Sequence, residues 1–202
     1  MLAKGSFPWV MTSITASVVS SLAYLLCEIP YTGKIAFLAI SVTIFFLFFF
    51  RDPEREINAH ETYMLSPADG KVMDIRGRKI CIFMNFQNVH VNRSPIKGKV
   101  QTIEHKKGGY IPAFCKDSHR NERNHVLIET EYGVVEVIQI AGAITRRIVS
   151  YINEGEDIMQ GQRFGMIRFG SRVDVTIPEN FEIVTKIGDR MFAGETVIAR
   201  IK

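Results

Sequence analysis

The dipeptide Gly170–Ser171 is the part of this sequence best suited to chemistry on the chain itself. A serine hydroxyl can attack the carbonyl of the residue before it when the fold strains the intervening peptide. Glycine there has no side chain in the way and tolerates unusual backbone angles. Apolar and polar residues alternate on both sides, so the dipeptide interrupts two predicted strands. On this stretch alone, a tight hairpin turn or a bulge is the better interpretation.

Three further positions carry groups suited to catalysis or binding. Asp69 lies in a Ser-Pro-Ala-Asp-Gly run, which is also typical of a turn. His90 lies in a predicted strand, where a histidine usually has only a structural hydrogen bond. Arg146 and Arg147 could hold a phosphate through forked hydrogen bonds or could simply be solvated. Each position therefore has an ordinary structural explanation when taken singly.

The sequence argues against metal and nucleotide sites. The other histidines show no ligand spacing, and no P-loop, dinucleotide fingerprint or Gly-x-Ser-x-Gly motif is present. We therefore expect no metal. The three cysteines are odd in number and match no metal motif, which predicts free thiols in a reducing compartment. The residues concerned are His60, His105, His119, His125, Cys27, Cys81 and Cys115.

The chain length and the net charge limit the possible classes of protein. The 202 residues suit one domain plus a small additional element. The net charge of +4 is mild, and no run of Lys and Arg with interleaved aromatics indicates nucleic-acid binding. A mildly basic protein is compatible with an anionic membrane surface.

Two uncharged segments, Phe7–Cys27 and Ile35–Phe50, flank a turn marked by Pro30 and Gly33. Their length and apolar character predict a transmembrane helical hairpin over residues 1–50. A cleaved signal peptide is the main alternative for the first segment. The second apolar segment follows at once, and no clear small-x-small cleavage site is present, so the hairpin is the better interpretation.

Basic residues flank the predicted hairpin. Lys4 precedes it, and Arg51 and Arg55 follow it. By the positive-inside rule both ends face the cytoplasm. The protein is therefore expected at the cell membrane, with its remaining residues on the cytoplasmic side.

Residues 51–202 are predicted to form a second, mainly β domain. Short runs rich in Val, Ile and Phe are separated by Gly, Pro, Asn and Asp. Two short internal repeats favour a compact barrel-like or hammerhead-like design. In one, Ser66–Val72 resembles Ser94–Val100; in the other, pairs of glycines are six residues apart, at 155/161 and 188/194. The clearest predicted strands are Lys79–Phe83, Val126–Thr130, Val134–Ile140, Val173–Ile177 and Thr196–Ile201.

Taken together and in order, the motifs resemble the short-form phosphatidylserine decarboxylases, which include the archaeal archaetidylserine decarboxylases. The resemblance covers most of residues 48–202. Any one motif is weak, whereas the ordered set is specific. The motifs are Phe50–Arg55, Ser66–Val72, Val89–Arg93, Asn121–Asn124, Ala141–Gly142 with Arg146–Ile148, and Phe164–Asp174.

The resemblance implies a self-processing enzyme with a pyruvoyl cofactor. Gly170–Ser171 matches the family's cleavage pair, so Ser171 is expected to become the pyruvoyl group. His90 matches the histidine that activates the serine, and Asp69 the aspartate that orients it. Cleavage gives a larger chain, residues 1–170, and a smaller one, 171–202, which are expected to stay together. The expected substrate is a membrane lipid with a phosphoserine headgroup, its phosphate near Arg147 or Arg93.

One position departs from the family pattern. Many longer relatives have a second histidine three residues before the position of His90, linked there to decarboxylation. Here that position is Gln87, a poor general acid. Either His90 serves both steps, or another group or water supplies the proton.

Two other classes of function remain as alternatives. One is a membrane-tethered hammerhead carrier or adaptor without enzymatic activity. Such a carrier should present a modifiable lysine at a hairpin tip, where this sequence has Gly170–Ser171. The other is a membrane-anchored metal hydrolase, which the missing ligand spacing disfavours. The choice between ester-linked and ether-linked lipid tails stays open.

Overall fold

The computed structural model describes residues 1–27, 29–109, 111, 120–142, 147–168 and 171–202. Gly170, Arg146, Cys115 and His119 therefore lie outside the described residues. The chain divides into two compact units, Met1–Pro53 and Glu54–Lys202. The division falls within the polar, proline-containing segment that follows the second apolar run.

The first unit is a pair of helices, α1 (Phe7–Leu26) and α2 (Thr32–Phe49). Proline near the start of α1 suits a helix N-terminus, where its missing N–H is not needed. The helices contact each other through a hydrogen bond of 2.9 Å between Ser17 Oγ and Thr43 Oγ1. The predicted helical pair is confirmed.

Both helices are long and apolar enough to cross a membrane, by length and composition. At about 1.5 Å per residue, the 20-residue α1 spans roughly 30 Å, the thickness of a bilayer core. The two ends of the hairpin meet, because the N–H of Asp52 donates to Met1 O and that of Ala3 donates to Phe50 O, both at 2.8 Å. These helices indicate membrane association, with both ends of the hairpin at one side.

The second unit is built mainly from β-strands, as the sequence predicts, and the described strands pair antiparallel. The described strands are β1 (Tyr63–Leu65), β2 (Gly70–Arg76), β3 (Lys79–Met84), β4 (Val91–Arg93), β5 (Gly98–Lys106), β6 (Arg123–Thr130), β7 (Gly133–Ile140), β8 (Ile148–Ser150), β9 (Asp157–Ile158), β10 (Arg163–Ile167), β11 (Ser171–Thr176), β12 (Phe181–Ile183), β13 (Arg190–Met191) and β14 (Val197–Ile201). The five clearest predicted runs correspond to β3, β6, β7, β11 and β14. The predicted mainly β class is confirmed.

The described strands form three sheets. The largest has the order β13-β2-β3-β11-β7-β6-β5-β9 and curls into a half-barrel. Two three-stranded sheets, β1-β14-β12 and β4-β10-β8, complete the unit. One apolar core fills it, because alternate side chains of the strands point inward. Strand β11 is central, since it pairs with β3 on one side and with β7 on the other.

Both faces of β11 are buried. Val173 and Val175 belong to the apolar core, while Arg172 and Asp174 form an ion pair of 2.5 Å on the opposite face, with side chains only 4% and 5% exposed. The hydrogen bond to Asp174 raises the pKa of Arg172. The charged side chains at the polar positions of β11 therefore neutralise each other inside the protein, where an unpaired charge would lower stability.

Cys81 lies opposite Asp174 on the neighbouring strand. Burial, together with the Asp174 charge, raises the pKa of the Cys81 thiol to about 12. Since the thiolate is the nucleophilic form, this cysteine is held in its unreactive state. Cys27 and Cys81 are both free thiols, as expected.

Deletion of residues 1–50 is expected to leave self-cleavage intact and to lower turnover on lipid in bilayers. The candidate residues Ser171, His90 and Asp69 all belong to the second unit, and the helices offer no acid or base suited to the chemistry. Electrophoresis measures cleavage, and assays in bilayers and in detergent micelles measure turnover. A truncated chain that folds but does not cleave contradicts the prediction.

Candidate active site

Ser171 is the first residue of β11 and is fully buried. Its Oγ has no hydrogen-bond partner among the described residues. An unsatisfied buried hydroxyl costs about 1–3 kcal/mol, so a protein retains one mainly where it serves a purpose. The neighbouring Phe169 and Gly170 lie outside the described residues. The Ser171 hydroxyl is thus buried and is left without a hydrogen bond by the described residues.

His90 is held close to the strand that leads toward Ser171. It immediately precedes β4, is 1% exposed, and its carbonyl oxygen accepts a hydrogen bond of 3.2 Å from the N–H of Ile167. Ile167 is the last residue of β10, four positions before Ser171. The pairing of β4 with β10 therefore ties the histidine segment to the strand that precedes Ser171 in sequence.

The imidazole of His90 has a defined tautomer. Its Nδ1 lies 2.9 Å from the carbonyl oxygen of Asn88. A carbonyl can only accept, so Nδ1 carries the proton and, in the neutral ring, Nε2 keeps its lone pair. That is the form in which Nε2 can accept a proton from a hydroxyl.

Asp69 joins three segments of the chain. Its Oδ1 accepts the N–H of Ala193 at 2.8 Å, and its Oδ2 accepts Arg55 Nη2 at 2.9 Å and the N–H of Val89 at 3.4 Å. The resemblance implies that Asp69 itself sets the His90 tautomer. In the structure the Nδ1 hydrogen bond goes to Asn88, and Asp69 binds the backbone of the residue before His90. The direct orienting role of Asp69 stays a prediction.

Arg55 is a site residue that sequence reasoning missed. The sequence places it in a linker as one of the charges beside the membrane. In the structure its ion pair with Asp69 is buried, with side chains 7% and 6% exposed, and its guanidinium lies 5.9 Å from the ring centroid of Phe192. Its place in the Phe50–Arg55 motif was the available signal, but only the fold shows what it binds.

The two arginines expected near a substrate phosphate occupy different surroundings. Arg93 is buried in β4, and its Nη1 donates to the carbonyl of Gly161 at 3.1 Å. Arg147 is exposed, and its carbonyl accepts the N–H of Arg168 at 3.2 Å. Burial lowers the pKa of Arg168, and the nearby charge of Arg147 lowers it further. Arg93 thus supports a turn, and the phosphate role of either residue stays a prediction.

Buried amides form a chain behind the site. Asn124 Nδ2 donates to Gln139 Oε1 at 3.1 Å, and Gln139 Nε2 donates to Asn92 Oδ1 at 2.8 Å. Asn92 Nδ2 then lies 3.7 Å from the sulfur of Met84, the cross-strand partner of Ser171. Gly165 makes room for this chain, since a Cβ there would lie 2.9 Å from Gln139 Nε2. The amides fix β4, β6 and β7 relative to the strand opposite Ser171.

Gln87 lies in the exposed turn between β3 and β4, three residues before His90. No group of three His, Cys, Asp or Glu side chains that could hold a metal ion is present in the part of the chain that the structure describes. The described candidate residues are thus a buried serine, a histidine whose Nδ1 donates to a backbone carbonyl, and a carboxylate paired with arginine; the described contacts link the carboxylate to the histidine segment through the N–H of Val89.

Comparison with known proteins identifies the family of the chain. The sequence model of the phosphatidylserine decarboxylase family matches residues 42–199. A Methanosarcina barkeri protein provisionally named archaetidylserine decarboxylase proenzyme is 57% identical over the whole of both chains. Phosphatidylserine decarboxylase proenzymes of Streptomyces griseus and Thermobifida fusca are 43% and 45% identical, covering 98% of this chain and 93% and 92% of their own lengths.

The chain therefore belongs to the phosphatidylserine decarboxylase family. It is accordingly an enzyme of the carboxy-lyase class, a decarboxylase proenzyme.

Replacing Arg55 with Met is expected to destabilise the protein and to slow maturation. Removing one partner of a buried ion pair leaves the other charge uncompensated, at a cost of about 3–5 kcal/mol. Arg76→Met is the control, because Arg76 pairs with Asp74 at the surface, where an ion pair is worth at most about 1 kcal/mol. Thermal unfolding and the rate of appearance of two chains are the measurements. Equal effects of both substitutions contradict the prediction.

Proposed function

We propose that this chain cleaves itself between Gly170 and Ser171, converts Ser171 into a pyruvoyl group, and decarboxylates a membrane lipid with a phosphoserine headgroup. The lipid is phosphatidylserine or archaetidylserine, and the product is the corresponding ethanolamine lipid. One observation carries the proposal. The hydroxyl of Ser171 is buried at the start of β11 and has no hydrogen-bond partner among the described residues, and Ile167, four positions earlier in the chain, donates its N–H to the carbonyl of His90.

Maturation begins with proton transfer from Ser171 Oγ to Nε2 of His90. The oxygen attacks the carbonyl carbon of Gly170, the C–N bond breaks, and the amine takes the proton, so that the amide becomes an ester. Loss of the α-proton of Ser171 then breaks the Cβ–O bond. Residue 170 leaves as a carboxylate, and residue 171 becomes dehydroalanine. Its imine tautomer takes up one water and releases one ammonia to leave the ketone.

His90 and Asp69 support the first step in different ways. The hydrogen bond from Nδ1 to Asn88 leaves the Nε2 lone pair available, and the imidazolium formed after proton transfer keeps that bond. The Asp69 carboxylate holds the N–H of Val89 and so fixes the backbone from which His90 projects. This is the division of labour between base and positioning group found in serine nucleophiles generally.

The residues present fit a pyruvoyl group at position 171. Position 171 is buried, so the group would be shielded from bulk water. When bonded to the substrate amine, a pyruvoyl ketone supplies an electron sink for the carbon that loses carbon dioxide. Gln87 is exposed and close in sequence to His90, but an amide is a weak proton donor, so we assign protonation of the product carbon to His90 or to water.

The two chains should remain associated after cleavage. The smaller chain, residues 171–202, contributes β11, which pairs on both sides with strands of the larger chain. It also contributes β14, paired with β1, and β13, paired with β2. Separating the chains would break these ladders and expose core residues such as Val173 and Ile198.

The catalytic unit is proposed to face the cytoplasm. Lys4 and Arg51 flank the two ends of the helical hairpin, which lie next to each other. The bias of Lys and Arg toward the cytoplasmic side supports this orientation.

Ser171→Ala is expected to remain one chain of 202 residues without decarboxylase activity, because it has neither the attacking oxygen nor the leaving group. Ser94→Ala is the matched control, since Ser94 is equally buried but bonds the carbonyl of Ile96. In the wild type, electrophoresis and mass spectrometry should show two chains. The smaller should be one ammonia lighter than residues 171–202 with a free serine terminus, and hydroxylamine should abolish activity. A wild type active as one uncut chain contradicts the proposal, and an inactive uncut chain favours the carrier alternative.

His90→Ala and Asp69→Asn should each accumulate the uncut chain, because one removes the base and the other weakens its support. Combined, they should slow maturation by much less than the product of the separate factors, as for groups in one mechanism. His105→Ala is the control, as a histidine 44% exposed on another strand. Time courses of cleavage give the rates. A wild-type rate in either single variant removes that residue from its assigned role.

A further inference from the structure

A cleft of about 330 Å³ opens at the β13 edge of the large sheet, where β2 and β13 pair. Two cations, Lys71 and Arg190, line it, together with Gly70, Asn88 and Phe192. All of these residues belong to the second unit. Neither the ion pairs of the fold nor the proposed maturation chemistry accounts for the two cations.

Lys71 and Arg190 lie directly opposite each other on the paired strands. Like charges in that position repel and destabilise a sheet. Both side chains are exposed, and neither forms an ion pair with a described residue. Asp189, the residue before Arg190, does not pair with it. The Oδ2 of Asp189 instead accepts hydrogen bonds from Thr185 Oγ1 at 3.1 Å and from the N–H of Lys186 at 2.9 Å. Two adjacent cations without an anion suit an anionic ligand.

Large apolar side chains stand beside these cations. Phe192 lines the cleft and is 51% exposed, and Phe86, between two lining residues of the β3–β4 turn, is 46% exposed. Ile187 is 61% exposed and also lies near Lys71 in the fold. The residue after it, Gly188, is close to the lysine side chain, because a Cβ built on Gly188 would lie 3.8 Å from Lys71 Cε. Exposed aromatics next to Lys and Arg are characteristic of surfaces that enter the headgroup region of a bilayer.

The cleft adjoins the candidate active site at three points. Gly70 follows Asp69, and the carbonyl of Asn88 binds His90. Phe83, another lining residue, is the cross-strand partner both of Lys71 and of Arg172, which follows Ser171. Two strand spacings separate Lys71 from Arg172, about 10 Å between backbones. A flexible lysine side chain and a lipid headgroup can together bridge that distance.

We propose that this cleft binds a phospholipid from the bilayer surface, with its headgroup phosphate between Lys71 and Arg190 and with Phe86 and Phe192 in the membrane interface. The inference rests on the proposed function, because it supplies the phosphate site for the phosphoserine lipid. Arg190 can donate to two phosphate oxygens and Lys71 adds a point charge. The cleft offers this phosphate site in place of Arg93, which is buried against Gly161.

The first test is surface-dilution kinetics of the full chain in proteoliposomes. Lys71→Ala/Arg190→Ala should raise the interfacial KM about tenfold or more, keep kcat within about twofold and mature into two chains normally. Lys71→Arg/Arg190→Lys should restore most of the affinity. The matched control is Lys99→Ala/Lys107→Ala, because both lysines are exposed and Lys99 lies on β5, near the opposite edge of the sheet. An unchanged KM, or an equal change in the control, overturns the proposal; an equal change indicates a surface-charge effect only.

The second test separates phosphate binding from contact with the bilayer. Glycerophosphoserine, the headgroup without lipid tails, is titrated as the probe into the detergent-solubilised full chain carrying Ser171→Ala. Lys71→Ala/Arg190→Ala should weaken its binding about tenfold. Phe86→Ser, which changes an exposed residue outside the lining of the cleft, should leave probe binding unchanged and raise the interfacial KM in proteoliposomes. Equal probe binding with and without the two cations overturns the proposal.

The two tests also distinguish this inference from the proposed function. Wild-type protein is scored first for two chains and for hydroxylamine-sensitive decarboxylation. If those fail, the pyruvoyl proposal fails, and the glycerophosphoserine titration still decides whether the cleft binds a phosphodiester. If they succeed and the KM of Lys71→Ala/Arg190→Ala equals the wild-type value, only the assignment of the cleft is wrong.

Discussion

The buried ion pair between Arg55 and Asp69 is the interaction on which the site depends. Asp69 is bound by the backbone N–H groups of Val89 and Ala193 as well as by Arg55, so one carboxylate fixes the linker, the His90 segment and the segment before β14. A charge buried this deeply is tolerated only when it is paired and hydrogen-bonded. Movement of any one of the three segments would remove one partner of the Asp69 carboxylate. The carboxylate therefore constrains the positions of all three segments relative to one another.

The position of β11 adds a second constraint. It is a central strand with both faces buried, and its first residue is Ser171. A cut immediately before this strand leaves every ladder of β11 intact. The bond proposed to break therefore precedes a strand that is held by neighbouring strands on both sides.

The features suited to membrane anchoring and those suited to headgroup binding lie in different units of the chain. The helices of the first unit carry an apolar surface suited to lipid tails. The cleft of the second unit carries Lys71 and Arg190, whose charges suit a phosphate at the bilayer surface. Under the proposed function, this division lets the second unit keep a polar, buried site, because only the headgroup of the lipid, and not its tails, has to reach residue 171.

The sequence by itself determined much of this protein. Apolar run length predicted both helices and alternation predicted the main strands, whereas Ser171, His90 and Asp69 became candidates through the resemblance of the ordered motifs to a known family. The rest depends on contacts between segments distant in sequence. The partner of His90 Nδ1 is the backbone carbonyl of Asn88, and no side-chain type in the sequence indicates a backbone acceptor. From the sequence, Arg55 is interpreted as a charge beside the membrane, and only the fold shows that it is buried against Asp69. Likewise, alternation predicts which side chains of β11 share a face, but only sheet packing decides that its polar face is buried too.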